Sequence, residues 1–432
     1  MNDALDYTKT FPAKPYPLTL EEAAWTTPPM QITDTEKMMD VPRMRAYRCN
    51  RIREQLRREN VGAIILTTPL SMRYAVGVRN CALFQTHIPV GYLFVPTEGP
   101  VILFDSDPGR ETGRQLEVID EVRDDLIPIS HMFGGNRMEE QMSRWAAQMA
   151  DLVRTHCGGE KRIAVEIPNG FAFAALQTQN IDVVDAAGIM AQARKIKSPE
   201  EILAMNLAVA VAEDGMTRMR RELRNGIREQ QLWSFMWQAL IEGGGEWIDY
   251  RLMSTGDRSN PWQQEVSSRM IRADDLLVFD CGVIGPFAYG ADISRAFHSG
   301  PGKPSAQQKK LYTLAWEEIT HNKTLMRAGA GFREIIEARY RQPEGFGEQL
   351  YTCVAHGLGM GDEWPSLLHA TDDPDHYDGE LEAGMVICVE SYVGEVGGVE
   401  GIKLEDQCLV TENGLITLSR YPFEENLLAR EV

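Results

Sequence analysis

The sequence predicts an α/β (α+β) protein of two domains, and three observations carry this prediction. The chain has 432 residues, and at roughly 100–200 residues per domain this length favours two domains. In the first half, short apolar runs typical of buried strands alternate with stretches of helical periodicity. In the second half, long helices accompany strands that carry acidic residues. We predict domains at 1–193 and 194–432.

The first domain is predicted to begin with an arm and to continue as a mixed sheet with helices. Residues 1–35 are rich in Pro, Thr and charge and show little periodicity, which predicts an extended arm. The alternation that follows favours a partly parallel sheet. The predicted helices are 42–59 and 137–155, and the predicted strands are 62–68, 91–95, 101–105 and 162–167. No glycine-rich nucleotide motif follows any of these strands.

The second domain is predicted to open with a well-marked helix. Ser198 is placed as its N-cap, Pro199 as its first residue and Glu201 at the capping-box position. Apolar residues then recur at spacings of three and four from Ile202 to Met216, which indicates one buried stripe. Further helices are predicted at 228–242 and 305–327, and strands at 276–282, 291–297, 385–390 and 402–410.

Composition and charge exclude several classes of partner. The 44 Lys and Arg against 63 Asp and Glu leave a net charge of −19, which argues against nucleic acid and anionic membranes as partners. A small-molecule substrate is expected instead. The seven cysteines are scattered without a CxxC pair, a pattern typical of reduced thiols in the cytoplasm. The first 20 residues lack the apolar core of a signal peptide. We therefore predict a cytoplasmic protein.

Five residues form the constellation that predicts chemistry. They are Asp280, Asp292, His356, Glu390 and Glu405, and each ends or interrupts an apolar strand pattern. Any one of them alone is typical of a strand-end or surface residue. Together, four buried carboxylates would repel one another unless cations lay between them. One imidazole and four carboxylates suit two divalent cations that share bridging ligands.

The order of these five residues resembles the ligand order of the pita-bread metallopeptidase superfamily, which includes methionine aminopeptidase, prolidase, aminopeptidase P and creatinase. The resemblance covers residues 40–425, and its best motifs are RKIKSPEEI and DCGVIGPFAYGADISRAF. It implies a creatinase-like N-terminal domain, a pita-bread catalytic domain and a homodimer. The ligand set suits Fe, Mn, Co or Zn, and the sequence does not choose among them.

The chain departs from the peptidases of that superfamily at three positions. Those peptidases usually carry additional histidines around the metals, which hold the scissile amide and assist proton transfer. The matching positions here are Thr352, Glu363 and the segment Asn260-Pro261-Trp262. Their joint absence makes hydrolysis of proline peptides a weaker interpretation.

Three segments resemble a non-peptidase branch, the metallopeptidase-like dimethylsulfoniopropionate lyases: GGEWIDYRL…SNPWQQE, YTCVAHGLGMGDEWP and IKLEDQCLV. These enzymes cleave dimethylsulfoniopropionate to dimethyl sulfide and acrylate. The resemblance implies Asp362 as the base that removes a proton, with Tyr351 orienting the substrate. Aromatic faces attract an onium group, and we predict Trp262, Trp364 and Phe84 as that wall.

One position departs from the lyases as well. They carry an extra Asp two residues after the first aspartate ligand, where this chain has Gly282, so the branch can be shared while the substrate differs. Two alternatives therefore stay open. One is an Xaa-Pro dipeptidase or related hydrolase, with metal-bound hydroxide as nucleophile and Glu390 as proton shuttle. The other is a catalytically silent binding protein, whose hallmark would be a lost ligand.

Overall fold

The computed structural model describes residues 18–26, 35–79, 82–369 and 377–429. The chain divides into two units between Lys195 and Ile196. The first unit is Asp40–Lys195, and the second comprises Ile196–Val432 together with the N-terminal segment before Asp40. The sequence grouped that N-terminal arm with the first domain instead.

Part of the arm is helical. Helix α1 (Leu20–Ala24) has Thr19 as its N-cap. The Thr19 side chain accepts a hydrogen bond from the Glu22 amide, and the Glu22 carboxylate accepts one from the Thr19 amide. The side chain of Asn206 then binds the carbonyls of Ala23 and Ala24 at 2.8 and 3.1 Å. The expectation of an extended arm is therefore wrong for this segment, because a capping box and a buried amide hold it as a helix.

The first unit is a six-stranded sheet with helices. Its helices are α2 (Val41–Arg58), α3 (Pro69–Val76), α4 (Ala82–His87), α5 (Asp107–Gly113), α6 (His131–Gly134), α7 (Met138–His156), α8 (Gly170–Thr178) and α9 (Ala186–Arg194). Its strands are β1 (Ala63–Leu66), β2 (Tyr92–Pro96), β3 (Ile102–Phe104), β4 (Glu121–Arg123), β5 (Arg162–Val165) and β6 (Asp182–Asp185). The strand order is β4-β3-β2-β1-β5-β6. Three of the pairs are parallel (β1–β5, β5–β6 and β3–β4), so the sheet is partly parallel, as the alternating pattern predicts.

Within its described residues, the second unit contains two sheets and four helices in addition to α1. The helices are α10 (Pro199–Glu222), α11 (Glu229–Glu242), α12 (Ala306–Thr324) and α13 (Phe332–Ala338). The strands are β7 (Trp247–Ile248), β8 (Leu252–Thr255), β9 (Leu276–Ile284), β10 (Gly290–His298), β11 (Cys353–Leu358), β12 (Asp362–Leu368), β13 (Val386–Gly394), β14 (Gly401–Thr411) and β15 (Gly414–Thr417). One sheet has the order β10-β9-β7 with β8 also paired to β9, and the other has the order β12-β11-β13-β14-β15.

Contacts between β10 and β14 bring the two sheets together. The Asp292 amide donates to the Gln407 side chain at 3.2 Å, and the Ser294 hydroxyl donates to Glu405 at 2.8 Å. Every residue of β9, β10, β13 and β14 is buried. Polar side chains on these strands are therefore removed from water and must find partners within the protein.

Helix α10 begins with the predicted capping box, since the Ser198 side chain accepts from the Glu201 amide and the Glu201 carboxylate accepts from the Ser198 amide.

Across the described ranges, no helix has the length and apolar character that crossing a lipid bilayer demands.

Glu318 is a buried carboxyl on α12. Its side chain is 2% exposed, and its Oε2 accepts hydrogen bonds from the Gln342 amide at 2.8 Å and the Ser391 hydroxyl at 2.7 Å. Burial raises the pKa of Glu318 from 4.5 to about 7, although these hydrogen bonds oppose the shift. The folded state therefore favours the neutral form of this carboxyl.

We expect Glu318→Gln to flatten the pH dependence of stability. A raised carboxyl pKa means that the stabilisation is present below the ordinary pKa and is lost as the pH rises through about 7. Between pH 5 and pH 8 the unsubstituted protein should lose up to about 3 kcal/mol relative to the variant. Urea unfolding at both pH values measures this, with the exposed Glu334→Gln as control. Equal pH dependence in all three proteins would contradict it.

Candidate metal centre

All five predicted ligands meet between the two sheets. Asp280 lies on β9, Asp292 on β10, His356 on β11, Glu390 on β13 and Glu405 on β14, and each is at most 9% exposed. The His356 Nε2 atom lies 3.2 Å from Glu390 Oε1, 3.7 Å from Asp292 Oδ2 and 3.8 Å from Glu405 Oε1. The strand register explains the meeting, because Glu390 pairs directly with Glu405.

The centre is electrostatically suited to a cation. Burial, together with the neighbouring carboxylates, raises the pKa of Asp292 and of Glu405 well above the usual range. Burial alone would lower the pKa of His356, but Glu390 and the other acids raise it to about 10. Asp280 Oδ1 and Glu405 Oε1 are buried and accept no hydrogen bond from the residues that the structure describes. Unsatisfied carboxylate oxygens beside an imidazole are a donor set that divalent transition metals bind.

A cysteine that the sequence analysis passed over belongs to the same cluster. Ligand atoms of Asp292, His356, Cys388 and Glu405 all lie within 4.8 Å of one another. Cys388 precedes Glu390 by two residues on β13 and so shares its face, and this spacing was the signal that could have found it. A sulfur neighbour favours softer ions, such as Fe(II), Co(II) or Zn(II), over Mn(II).

Lys403 is a second residue that sequence reasoning missed. It precedes Glu405 by two residues on β14, and its side chain is completely buried. Its ammonium contacts Glu390 closely and lies 3.2 Å from Glu405 Oε2 and 3.4 Å from Asp280 Oδ2. These carboxylates hold the pKa of Lys403 well above its usual value against the opposing effect of burial.

A cavity of about 670 Å³ opens onto the centre. The residues lining it are Tyr250, Leu252, Gln263, Glu265, Asp292, Tyr351, Thr352, Cys353, His356, Asp362, Glu363, Trp364 and Ser366. The predicted base, Asp362, places Oδ1 3.8 Å from His356 Nδ1 and remains 68% exposed. Its carboxylate is therefore beside a ligand and open to a molecule in the cavity.

Tyr351 and Trp364 are the predicted aromatic residues that line the cavity. The Tyr351 ring centroid lies 4.5 Å from the Lys403 ammonium. Burial and the nearby Glu390 carboxylate raise the pKa of Tyr351 far above its usual value, so the phenol keeps its proton. Trp364 is fixed by Phe332, with ring centroids 5.4 Å apart.

Trp262 and Phe84 are the other two residues predicted to form the aromatic wall of the cavity. Trp262 is absent from the cavity lining, and its ring instead packs on Tyr392 with centroids 6.0 Å apart, at the edge of an apolar cluster. That prediction is wrong because the neighbouring core, rather than the cavity, covers this ring. Phe84 lies on α4 in the first unit, but its side chain is outside those described, so its role stays a prediction.

The residues at the positions of the missing peptidase histidines make other contacts. Thr352 lines the cavity. Glu363 forms an ion pair with Lys197 at 2.7 Å, with both side chains nearly inaccessible. The Asn260 amide donates to the carbonyls of Glu395 and Gly398 at 2.9 and 3.0 Å. None of these groups offers an imidazole to a scissile amide.

Gly282 makes room for Tyr250. A Cβ atom built at Gly282 would lie 2.6 Å from the Tyr250 ring, much closer than contact distance. Position 282 pairs with Asp292 in the register, and the Tyr250 hydroxyl donates a short hydrogen bond to Asp292 Oδ1. A phenol therefore fills the space beside position 282, which is the position where the resemblance to the lyases implies an additional aspartate.

The fold and the centre together define a metal-dependent enzyme of the pita-bread class. Two family models match, "Metallopeptidase family M24" over residues 204–412 and "Creatinase/Prolidase N-terminal domain" over residues 48–196. These matches confirm the predicted fold class and domain types.

Two curated relatives are similar over nearly their whole length. Dimethylsulfoniopropionate lyase DddP of Roseovarius nubinhibens is 33% identical, with 90% of this chain and 89% of the relative covered. The protein of the same name from Roseobacter denitrificans is 30% identical, with 96% and 93% covered. Among solved structures, an Xaa-Pro dipeptidase from Bacillus anthracis is 20% identical, has a TM-score of 0.72, and is matched over 88% of this chain and 99% of that chain. The chain therefore belongs to metallopeptidase family M24, in the group of these two lyase relatives.

We expect Gly282→Ala to destabilise the protein through the Tyr250 ring. Overpacking of this kind costs about 1–3 kcal/mol. The double variant Gly282→Ala/Tyr250→Ala should lose less free energy of unfolding than the sum of the two single variants, because the collision is removed. Urea unfolding of the four proteins measures this, and additive losses would contradict it.

Proposed function

We propose that this protein is a metal-dependent lyase that cleaves dimethylsulfoniopropionate, or a similar small onium carboxylate, to dimethyl sulfide and acrylate. The observation that carries the proposal is the exposed Asp362 carboxylate beside His356, in a cavity that aromatic rings also line. The similarity to two relatives named dimethylsulfoniopropionate lyase supports this choice of substrate.

The reaction is a base-promoted elimination. Asp362 removes the proton from the carbon next to the substrate carboxylate. The electrons of that C–H bond form the carbon–carbon double bond, and the C–S bond breaks to release dimethyl sulfide. Asp292, His356 and Glu405 would hold a divalent metal, which would supply a Lewis acid for the developing enolate charge. The protonated Tyr351 phenol orients the substrate.

The cavity suits a positively charged sulfonium. The faces of Tyr351 and Trp364 offer cation–π attraction, worth up to about 2 kcal/mol when water is excluded. The Asp362 carboxylate lines the same cavity, so a negative charge lies where an onium group would bind.

The hydrolase alternative is less well supported. The likeness to an Xaa-Pro dipeptidase concerns the fold, and the positions of the auxiliary histidines hold Thr352, an ion-paired Glu363 and a structural Asn260. The silent-protein alternative predicted a lost ligand, whereas the five ligands lie together.

We propose Fe, Mn, Co or Zn as the metal, with Fe, Co or Zn favoured over Mn by the Cys388 thiol beside the predicted ligands. The family resemblance supports a homodimer. The unpaired thiols of the six cysteines that the structure describes support a cytoplasmic location. The net charge of −19 supports a small-molecule substrate rather than nucleic acid or an anionic membrane.

We expect Asp362→Asn to abolish the reaction. The amide cannot accept the proton, so dimethyl sulfide release should fall by at least about 100-fold while the metal content stays unchanged. Gas chromatography of the headspace above metal-loaded protein and dimethylsulfoniopropionate measures this, with the exposed Asp378→Asn as control. Absence of dimethyl sulfide from the unsubstituted protein, or release of proline from Xaa-Pro dipeptides instead, would refute the lyase assignment.

We expect Trp364→Leu to weaken substrate binding more than turnover. Loss of a cation–π contact worth about 1–2 kcal/mol raises KM by roughly 5- to 30-fold. Trp364→Phe keeps an aromatic face and serves as the matched control, with a smaller rise. Steady-state kinetics with dimethylsulfoniopropionate separate the two constants. Equal KM values for the Leu and Phe variants would contradict a sulfonium site at this ring.

A further inference from the structure

Lys403 lies where three carboxylates of the centre converge. Its ammonium donates to Ser294 Oγ at 2.8 Å. It also contacts Glu390, and it lies 3.2 Å from Glu405 and 3.4 Å from Asp280. The side chain is completely buried, and a buried ammonium is retained only where charge and hydrogen bonds compensate its lost hydration. Here the compensating carboxylates belong to the same residues that the sequence predicts as metal ligands.

The Glu390 and Glu405 carboxylates each point one oxygen towards His356 and the other towards Lys403. Glu390 turns Oε1 towards His356 at 3.2 Å and Oε2 towards Lys403. Glu405 likewise has Oε1 3.8 Å from His356 Nε2 and Oε2 3.2 Å from Lys403. The centre therefore has two compartments, an imidazole compartment around His356 and an ammonium compartment around Lys403.

The two compartments differ in what they offer a metal. The imidazole compartment contains His356 Nε2, Asp292 Oδ2 at 3.7 Å from it, and the unbonded Glu405 Oε1. In the ammonium compartment, the facing oxygens of Glu405 and Glu390 are already bonded to Lys403. A second divalent ion among those oxygens would meet a like charge at contact distance.

The surroundings of Lys403 hold its ammonium in this compartment. Lys403 belongs to a strand that is buried throughout its length, and the Tyr351 ring covers its Nζ atom at 4.5 Å from the centroid. Moving the side chain aside would break its hydrogen bonds to Ser294 and to two carboxylates, which compensate the lost hydration of the ammonium.

We infer that the centre binds one divalent ion per chain, in the imidazole compartment, and that the Lys403 ammonium takes the place of the second. The pattern of five ligands predicts two ions, and Lys403 changes that count. With one divalent ion and the Lys403 ammonium, the centre carries less positive charge than it would with two divalent ions. The number of bound ions does not depend on which substrate the cavity accepts.

Metal stoichiometry tests the inference directly. Full-length protein is stripped with a chelator, loaded with Mn(II), dialysed and measured by inductively coupled plasma mass spectrometry. We expect one Mn(II) per chain, with the electron paramagnetic resonance spectrum of an isolated ion. Two ions per chain, or a spin-coupled spectrum, would overturn the inference.

Variants of Lys403 test its part in the count. Lys403→Met removes the charge at similar length and should raise the count from one Mn(II) to two, whereas Lys403→Arg should keep it at one. The matched control is Lys310→Met, a lysine that packs on Phe346 outside the centre. One ion in Lys403→Met, in protein shown by circular dichroism to be folded, would overturn the role of Lys403. If that variant does not fold, the unsubstituted protein and Lys403→Arg still decide the count.

Discussion

The mutual repulsion of four buried carboxylates is the constraint on which the rest of this structure depends. Each carboxylate removed from water carries an effective penalty of several kcal/mol, and four of them together persist only if positive charge is held among them. The protein supplies the Lys403 ammonium from a strand of one sheet, and a divalent ion held beside the His356 imidazole would supply further positive charge. The cavity and its aromatic rings are arranged around this charged core.

Strand pairing is what makes so costly a cluster possible. A β-ladder fixes which residues lie opposite each other, and alternation fixes which face they share. Glu390 therefore meets Glu405, and Asp292 faces Gly282, without any freedom to separate. Helices or loops would allow the acids to relax apart. Ligands on fully buried strands instead remain close before any ion binds.

Residues that break a local pattern are the ones that sequence reasoning can single out. The five predicted ligands interrupt apolar strands, and the structure brings them together. The Ser198 capping box is likewise a local signal, and the structure confirms it. Cys388 and Lys403 were missed because a thiol resembles an ordinary strand residue and a lysine resembles a surface one. Their meaning comes from partners on other strands. Trp262 was misplaced because proximity to a motif in sequence does not tell which way a ring turns. Tyr250 required knowledge that Gly282 leaves a space.

The fit between Tyr250 and Gly282 couples two positions that lie on different strands or loops of the same unit. A Cβ atom at position 282 would lie 2.6 Å from the Tyr250 ring, so a larger residue there fits only if the ring moves. The same phenol donates a hydrogen bond to Asp292. A substitution at either position would therefore alter the packing and the surroundings of a predicted ligand together.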